Sequence, residues 1–73
     1  MVVIILESLA KKAGRNFKLL IKSRNLTQEK AAFILSVDEK TIRRWIKDGI
    51  DRISTIEDIA EIFDVDVIET FFK

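Results

Sequence analysis

Four basic side chains occur within eight residues near the middle of the chain, and all of them can bind anions. At about 100° per residue they share one side of a helix running from Glu39 to about Lys47, whereas Ile42, Trp45 and Ile46 share the other side. Lysine and arginine reach phosphates, and arginine can also form two hydrogen bonds with guanine. The four are Lys40, Arg43, Arg44 and Lys47. The pattern predicts a helix with an apolar back and a basic front.

The composition argues against catalysis. The chain has 73 residues and contains no His, Cys or Tyr, so it lacks imidazole and thiol groups. Most nucleophile–base pairs and the usual ligands of zinc need one of these groups. Carboxylates are plentiful, but the pattern places no pair of them in an evident cleft. We therefore expect a binding protein that is not an enzyme and that uses no cofactor or metal.

Charge is distributed unevenly although the net charge is only +1. Residues 1–52 hold twelve Lys or Arg against six Asp or Glu, whereas residues 53–73 hold one Lys against six acids. A basic body next to an acidic end favours a polyanionic partner for the basic part. Ordinary solvated charge on helix faces explains the same distribution about equally well.

Length and hydropathy indicate a single domain over residues 1–73. The longest apolar run, Met1–Leu6, is far shorter than the ~20 residues of a membrane span. A signal peptide has basic residues before its apolar run and a small-residue cleavage site after it. Here the basic residues come after the run, and no such site follows it. We expect a soluble, cytoplasmic protein that makes no membrane contact.

Capping residues and apolar spacing predict two short helices at the centre of the chain. Thr27 is a suitable N-cap for a helix over Gln28–Leu35. Ser36–Asp38 form a three-residue turn in which Asp38 caps the next helix, and Gly49 ends that helix. Two short helices joined in this way make a helix-turn-helix.

Further helices are predicted on both sides of this pair. The first runs from Leu9 to Arg24, with Gly14 interrupting it and Asn16 capping a second piece. Its buried face comprises Leu9, Ala10, Ala13, Phe17, Leu20 and Ile21. Val2–Ile5 are β-branched and favour a short strand, or they form an apolar lead-in to the first helix. Capping boxes at Ser54–Glu57 and Asp66–Glu69 open two last helices, the first burying Ile56, Ile59, Ala60 and Phe63 and the second ending at Phe71–Phe72.

These residues resemble the phage-repressor/Cro family of helix-turn-helix regulators, the XRE-like family. The resemblance covers roughly residues 17–72. It rests on Leu26–Glu29, Ala32, Val37, Thr41–Trp45 and Gly49, and on the downstream steps Ile59–Ala60, Phe63–Val65 and Ile68–Glu69. It implies an all-α, five-helix fold of the lambda-repressor type. It also implies binding of double-stranded DNA, with the helix over residues 39–47 in the major groove.

The resemblance further implies roles for individual residues. Gln28 would contact a phosphate or a base, or it would be a solvated residue near the N-terminus of its helix. Thr41 would contact a phosphate or help to cap its helix. The positions that face bases are those of Asp38, Glu39, Lys40 and Arg44. For Asp38 the role of a cap is favoured, because phosphates repel an acid at the floor of the groove. Glu39 could accept from a cytosine amino group, and its favourable interaction with the helix dipole explains it equally well. Arg43 and Lys47 would contact phosphates, and Trp45 would belong to the core. A stripe on the first helix would touch the DNA backbone or lie on a solvated face; it comprises Lys11, Arg15, Lys18 and Lys22.

Several positions depart from the family pattern. Ser36 replaces the usual glycine of the turn, and Ala31 replaces a common leucine. Family members often form a buried Arg–Glu pair at the positions of Ile21 and Ile46, both of which are isoleucine here. Replacing both partners of a buried pair by apolar residues is frequently neutral or stabilising. The paired change supports the alignment.

The sequence therefore predicts a transcriptional regulator, a repressor that occupies an operator. A homodimer is expected because one copy makes few base contacts. Its face would include Val67, Ile68, Phe71 and Phe72, unless these side chains pack into the monomer core. The alternative is a protein-interaction module, such as an antitoxin that binds a toxin and represses its own operon.

Overall fold

The computed structural model describes the backbone of residues 2–73 and the side chains of residues 9–73. Over this range the chain is all-α and contains no strand, which confirms the predicted fold class. The helices are α1 (Val2–Ser23), α2 (Gln28–Leu35), α3 (Glu39–Asp48), α4 (Ile53–Phe63) and α5 (Val67–Phe71).

A single apolar core joins the five helices, and α1 forms its centre. The helix α1 packs against both α3 and α5, while α2 packs against α3. Among the described side chains no polar or charged residue is buried, so the core gains stability from apolar burial alone. The buried residues are Ala13, Phe17, Leu20, Ile21, Ala31, Ala32, Ile42, Ile50, Ile56, Ile59, Ala60, Phe63 and Phe71.

The helix α1 is continuous. Of the two alternatives for Val2–Ile5, the lead-in to the first helix is confirmed and the strand is wrong, because these residues form the first turns of α1. An unpaired strand leaves backbone groups without partners, whereas a helix pairs its own, and β-branched residues reduce helix stability by less than ~1 kcal/mol each. Gly14 does not divide the helix either. Asn16 lies inside it, and its amide donates a hydrogen bond to the carbonyl of Phe71 at 2.8 Å.

Most of the predicted buried face of α1 is confirmed. Ala13, Phe17, Leu20 and Ile21 are all buried, whereas Leu9 is exposed and Ala10 is half-buried. None of the described helices, α1 included, is long and apolar enough to cross a membrane. Among the described side chains of α1, the first that is fully buried is that of Ala13, whereas the spacing predicts burial from Leu9 onwards.

The predicted boundaries of α2 and of the turn after it are confirmed. The Thr27 hydroxyl accepts a hydrogen bond from the Lys30 amide at 3.1 Å, which caps α2. Ser36 ends α2 in the left-handed conformation, with φ of 58°. The amide of Val37 then donates to Ala32 at 3.0 Å, so the turn closes without the usual glycine.

Capping at the later helices differs partly from the prediction. The box over Ser54–Glu57 does not form, because α4 already begins at Ile53 with Arg52 as its N-cap. Ile50 is buried, so the short loop is anchored there, and the Arg52 carbonyl accepts the Ile56 amide at 3.2 Å. The second box forms in part, since Asp66 accepts the Glu69 amide at 2.9 Å.

The end of the chain packs into the monomer. Phe71 is fully buried and α5 lies against α1, so the expectation that Phe71 contributes to a dimer face is wrong. Its burial removes a large apolar area from water within one chain, which an exposed position would not do. Val67 and Phe72 also pack against the core, whereas Ile68 is 65% exposed.

Candidate nucleic-acid interface

The core holds α3 by its apolar back. Ile42 is fully buried, and the Trp45 ring meets the Phe17 ring of α1 edge to face, with centroids 5.7 Å apart. Ile46 is half-buried against the same core. Edge-to-face packing of aromatic rings adds about 0.5–1.5 kcal/mol to simple burial. The structure therefore fixes which side of α3 faces solvent.

Four exposed cations lie on the opposite side of α3, where the spacing places them: Lys40, Arg43, Arg44 and Lys47. They occupy an arc of about 100° centred opposite Ile42 and Trp45. Such a narrow basic arc on one helix matches the width of the DNA major groove. Because the core holds α3 from behind, the four side chains project from the same side of the domain.

One of these cations is engaged within the helix. A nitrogen of the Arg43 guanidinium lies 3.7 Å from a carboxylate oxygen of Glu39, one turn earlier. Both side chains are substantially exposed, so the pair contributes only a few tenths of a kcal/mol. The pair places the Glu39 carboxylate beside the Arg43 guanidinium.

The remaining predicted contact residues lie at the N-termini of α2 and α3. Asp38 has the extended backbone of an N-cap, but its side chain makes no capping hydrogen bond, so that part of the prediction is wrong. Its carbonyl accepts the amide of Thr41 at 3.0 Å, which satisfies the backbone without the carboxylate. Thr41 and Gln28 are half-buried, and Gln28 is the first residue of α2.

Two groups of residues near α3 bear on the interface. The predicted stripe on α1 is exposed along its length; it comprises Lys11, Arg15, Lys18 and Lys22. No role was predicted for Arg52, which lines a concavity beside Arg44 that also contains the acidic residues Asp48 and Asp51. Its position just after the helix that is predicted to enter the major groove is the sequence feature that could have identified it.

The paired departure from the family pattern also has a structural counterpart. Ile21 of α1 is buried, and Ile46 of α3 is half-buried against the same core. Neither position carries a charge that would need a partner away from water.

Within the described residues no group of His, Cys, Asp and Glu is arranged to hold a metal ion.

Comparison with known proteins agrees with this geometry. A protein-family model described as helix-turn-helix matches residues 17–69, nearly three quarters of the chain. The match includes the whole of α2, α3 and α4, together with residues 17–23 of α1 and residues 67–69 of α5. Neither the curated proteins nor the solved structures gave a significant match.

Proposed function

We propose that this chain, which belongs to the XRE-like helix-turn-helix family of DNA-binding transcription regulators, is a repressor that reads its operator with α3. The basic arc on α3, opposite buried Ile42, carries this proposal. Lys40 and Arg44 contact base edges, while Arg43 and Lys47 contact phosphates. Gln28 and Thr41 add contacts from the helix N-termini.

The proposed division of roles follows from reach and geometry. Arginine forms paired hydrogen bonds with guanine, so Arg44 supplies preference for particular bases. Phosphate contacts are independent of sequence and supply most of the affinity, which falls as salt rises because counterions are released. Replacing Arg44 should therefore reduce the difference in affinity between DNA sequences, whereas replacing Lys47 should reduce the affinity for all of them.

The test begins with duplexes selected from a random pool and a scrambled duplex of equal length. Arg44→Ala should weaken binding to the selected duplex by about 1–3 kcal/mol and relax the preference at one base pair. Lys47→Ala should weaken binding to both duplexes alike and reduce the salt slope by about one. Lys73→Ala, at the acidic end of the chain, is the charge-matched control and should change neither quantity.

The outcome that contradicts the proposal is equally definite. A Lys40→Ala/Arg44→Ala double variant that binds the selected duplex as well as the wild type, at ~50 mM salt, leaves the arc with no role in reading DNA. The basic front would then be solvated surface. The protein-interaction alternative would replace the present proposal.

The ion pair with Arg43 favours a structural role for Glu39 over contact with a cytosine amino group. Glu39→Gln should then raise affinity for every duplex, because a negative charge is removed from beside the phosphates. Loss of preference at a single C·G pair in this variant would instead assign base reading to Glu39. Circular dichroism of the variant checks that α3 remains helical.

We also propose that the repressor binds as a homodimer, through a face that contains Ile68 and the exposed parts of Val67 and Phe72. Covering the 65% exposed side chain of Ile68 would remove apolar surface from water, and this favours association of two copies. Two copies would contact half-sites about one helical turn, ~34 Å, apart. Sedimentation should show Ile68→Ser shifted to monomer; a wild-type monomer at high concentration would remove this part of the proposal.

A second candidate function is a protein-interaction module such as an antitoxin. It is favoured by the acidic surface of α4 and α5, where Ile62 and Ile68 are exposed among six acidic residues. Pull-down with the products of neighbouring genes tests it. A partner that is captured by the wild type and lost with Ile62→Ser would support this second function.

A further inference from the structure

At one point of their contact, beyond the Phe17 and Trp45 rings, α3 meets α1 through backbone atoms. Gly14 on α1 is buried at this crossing. A Cβ atom on Gly14 would lie 2.9 Å from the Cα of Gly49 and would overlap the carbonyl oxygen of Trp45. The two helices approach this closely only because residue 14 has no side chain.

Contact from the other side is equally tight. Gly49 adopts φ of 104°, and a Cβ there would lie 2.6 Å from the backbone carbon and oxygen of Ala10. The Ile50 amide donates a hydrogen bond to the Ala10 carbonyl at 2.9 Å. We call the contact among Ala10, Gly14, Trp45, Gly49 and Ile50 the backbone seam.

We propose that Gly14 is a positioning residue for base reading, because the backbone seam sets where α3 lies relative to the rest of the domain. This inference rests on the proposed function. A backbone carbonyl in a helix cannot turn aside as a long side chain can, so it transmits a displacement to the whole helix. Trp45 directly follows Arg44, and the bond from Gly49 to the Trp45 carbonyl keeps the last turn of α3 helical.

A methyl group at position 14 therefore displaces α3 as a body. Restoring an ordinary separation from the Trp45 carbonyl requires a shift of roughly 1 Å. Productive recognition geometry tolerates only about 0.5 Å. Base contacts by Lys40 and Arg44 should fail first, whereas phosphate contacts through flexible side chains should largely survive.

The experiment compares Gly14→Ala with the wild type on the selected and scrambled duplexes, at a temperature where both proteins are folded by circular dichroism. The ratio of the two Kd values should fall at least ~10-fold, as for a mismatched base pair. The Kd for the scrambled duplex and its salt slope should stay within about twofold of the wild-type values.

The matched control is Ile59→Val, which removes a buried methylene from α4 and lowers stability without touching the backbone seam. A purely structural role for Gly14 predicts that both variants bind like the wild type once folded. A Gly14→Ala protein that is folded and keeps the wild-type Kd ratio therefore overturns the proposal.

If Gly14→Ala does not fold alone, it is combined with Ser36→Gly, which relieves the left-handed strain in the turn, and is compared with Ser36→Gly alone. A combined variant that still does not fold would make Gly14 a folding residue and would also overturn the proposal. Failure of the proposed function is distinct, since the wild type itself would then prefer no duplex.

Discussion

The isoleucine residues Ile21 of α1 and Ile46 of α3 yield the sharpest test of the helix register. Ile21 of α1 is 3% exposed and Ile46 of α3 is half-buried against the same core. If they replace the family's ion pair, charges at the two positions should destabilise singly and compensate together. The change is Ile21→Arg, Ile46→Glu, and both combined.

The expected magnitudes follow from the burial of each residue. Ile21→Arg places an unpaired charge in the core and should cost about 3–5 kcal/mol. Ile46→Glu should cost less, roughly 1–3 kcal/mol, because its position is partly open to water. A chain of this length has about 4–11 kcal/mol of stability in total, so the first variant loses roughly a quarter of it or more and unfolds if the wild type lies at the low end of this range. The double variant should recover a large part of the combined loss.

Urea unfolding at 25 °C provides the measurement. The single tryptophan, Trp45, packs on Phe17 and reports the α1–α3 contact by fluorescence, while circular dichroism reports the helices. The control combines Ile21→Arg with Ile53→Glu. Ile53 lines the same groove as Leu9, which is twelve residues, about 18 Å, from Ile21 along α1. The control losses should add.

The result that refutes this reasoning is simple additivity. If Ile21→Arg and Ile46→Glu add as the control pair does, the two side chains do not interact across the α1–α3 contact. The alignment of this chain with the family's ion pair would then be wrong. Recovery in both pairs would instead indicate a general effect of net charge.

Three further changes test local features of the fold by denaturant unfolding. Thr27→Ala should cost about 1 kcal/mol because its hydroxyl caps α2, whereas Asp38→Ala should cost almost nothing because its carboxylate makes no capping bond; equal costs would contradict the capping assignment. Ser36→Gly should stabilise by roughly 0.5–1 kcal/mol, since serine is strained at φ of 58°, and a loss of stability would contradict that strain. Phe71→Ala should cost about 3–5 kcal/mol, whereas Ile68→Ser should stay within about 0.5 kcal/mol at concentrations where the protein is monomeric; a mild effect at Phe71 would mean that α5 contributes little to the core.

The sequence by itself determined the helix-turn-helix and the basic front of α3. These features depend on neighbours only a few residues apart. Thr27 caps α2 through an amide three residues away, and the arc from Lys40 to Lys47 follows from helical periodicity. The pairing of Glu39 with Arg43 also follows the four-residue spacing, although we did not predict it.

Only the tertiary structure decided the features that depend on distant partners. Gly14 reads locally as a helix break, yet a side chain there would collide with the backbone of Trp45 and Gly49, more than thirty residues away. Phe71 looks exposed at the end of the chain until α5 lies against α1. In each case local propensity changes the free energy by about 1 kcal/mol, whereas burial or close packing contributes several, so the contact between helices prevails.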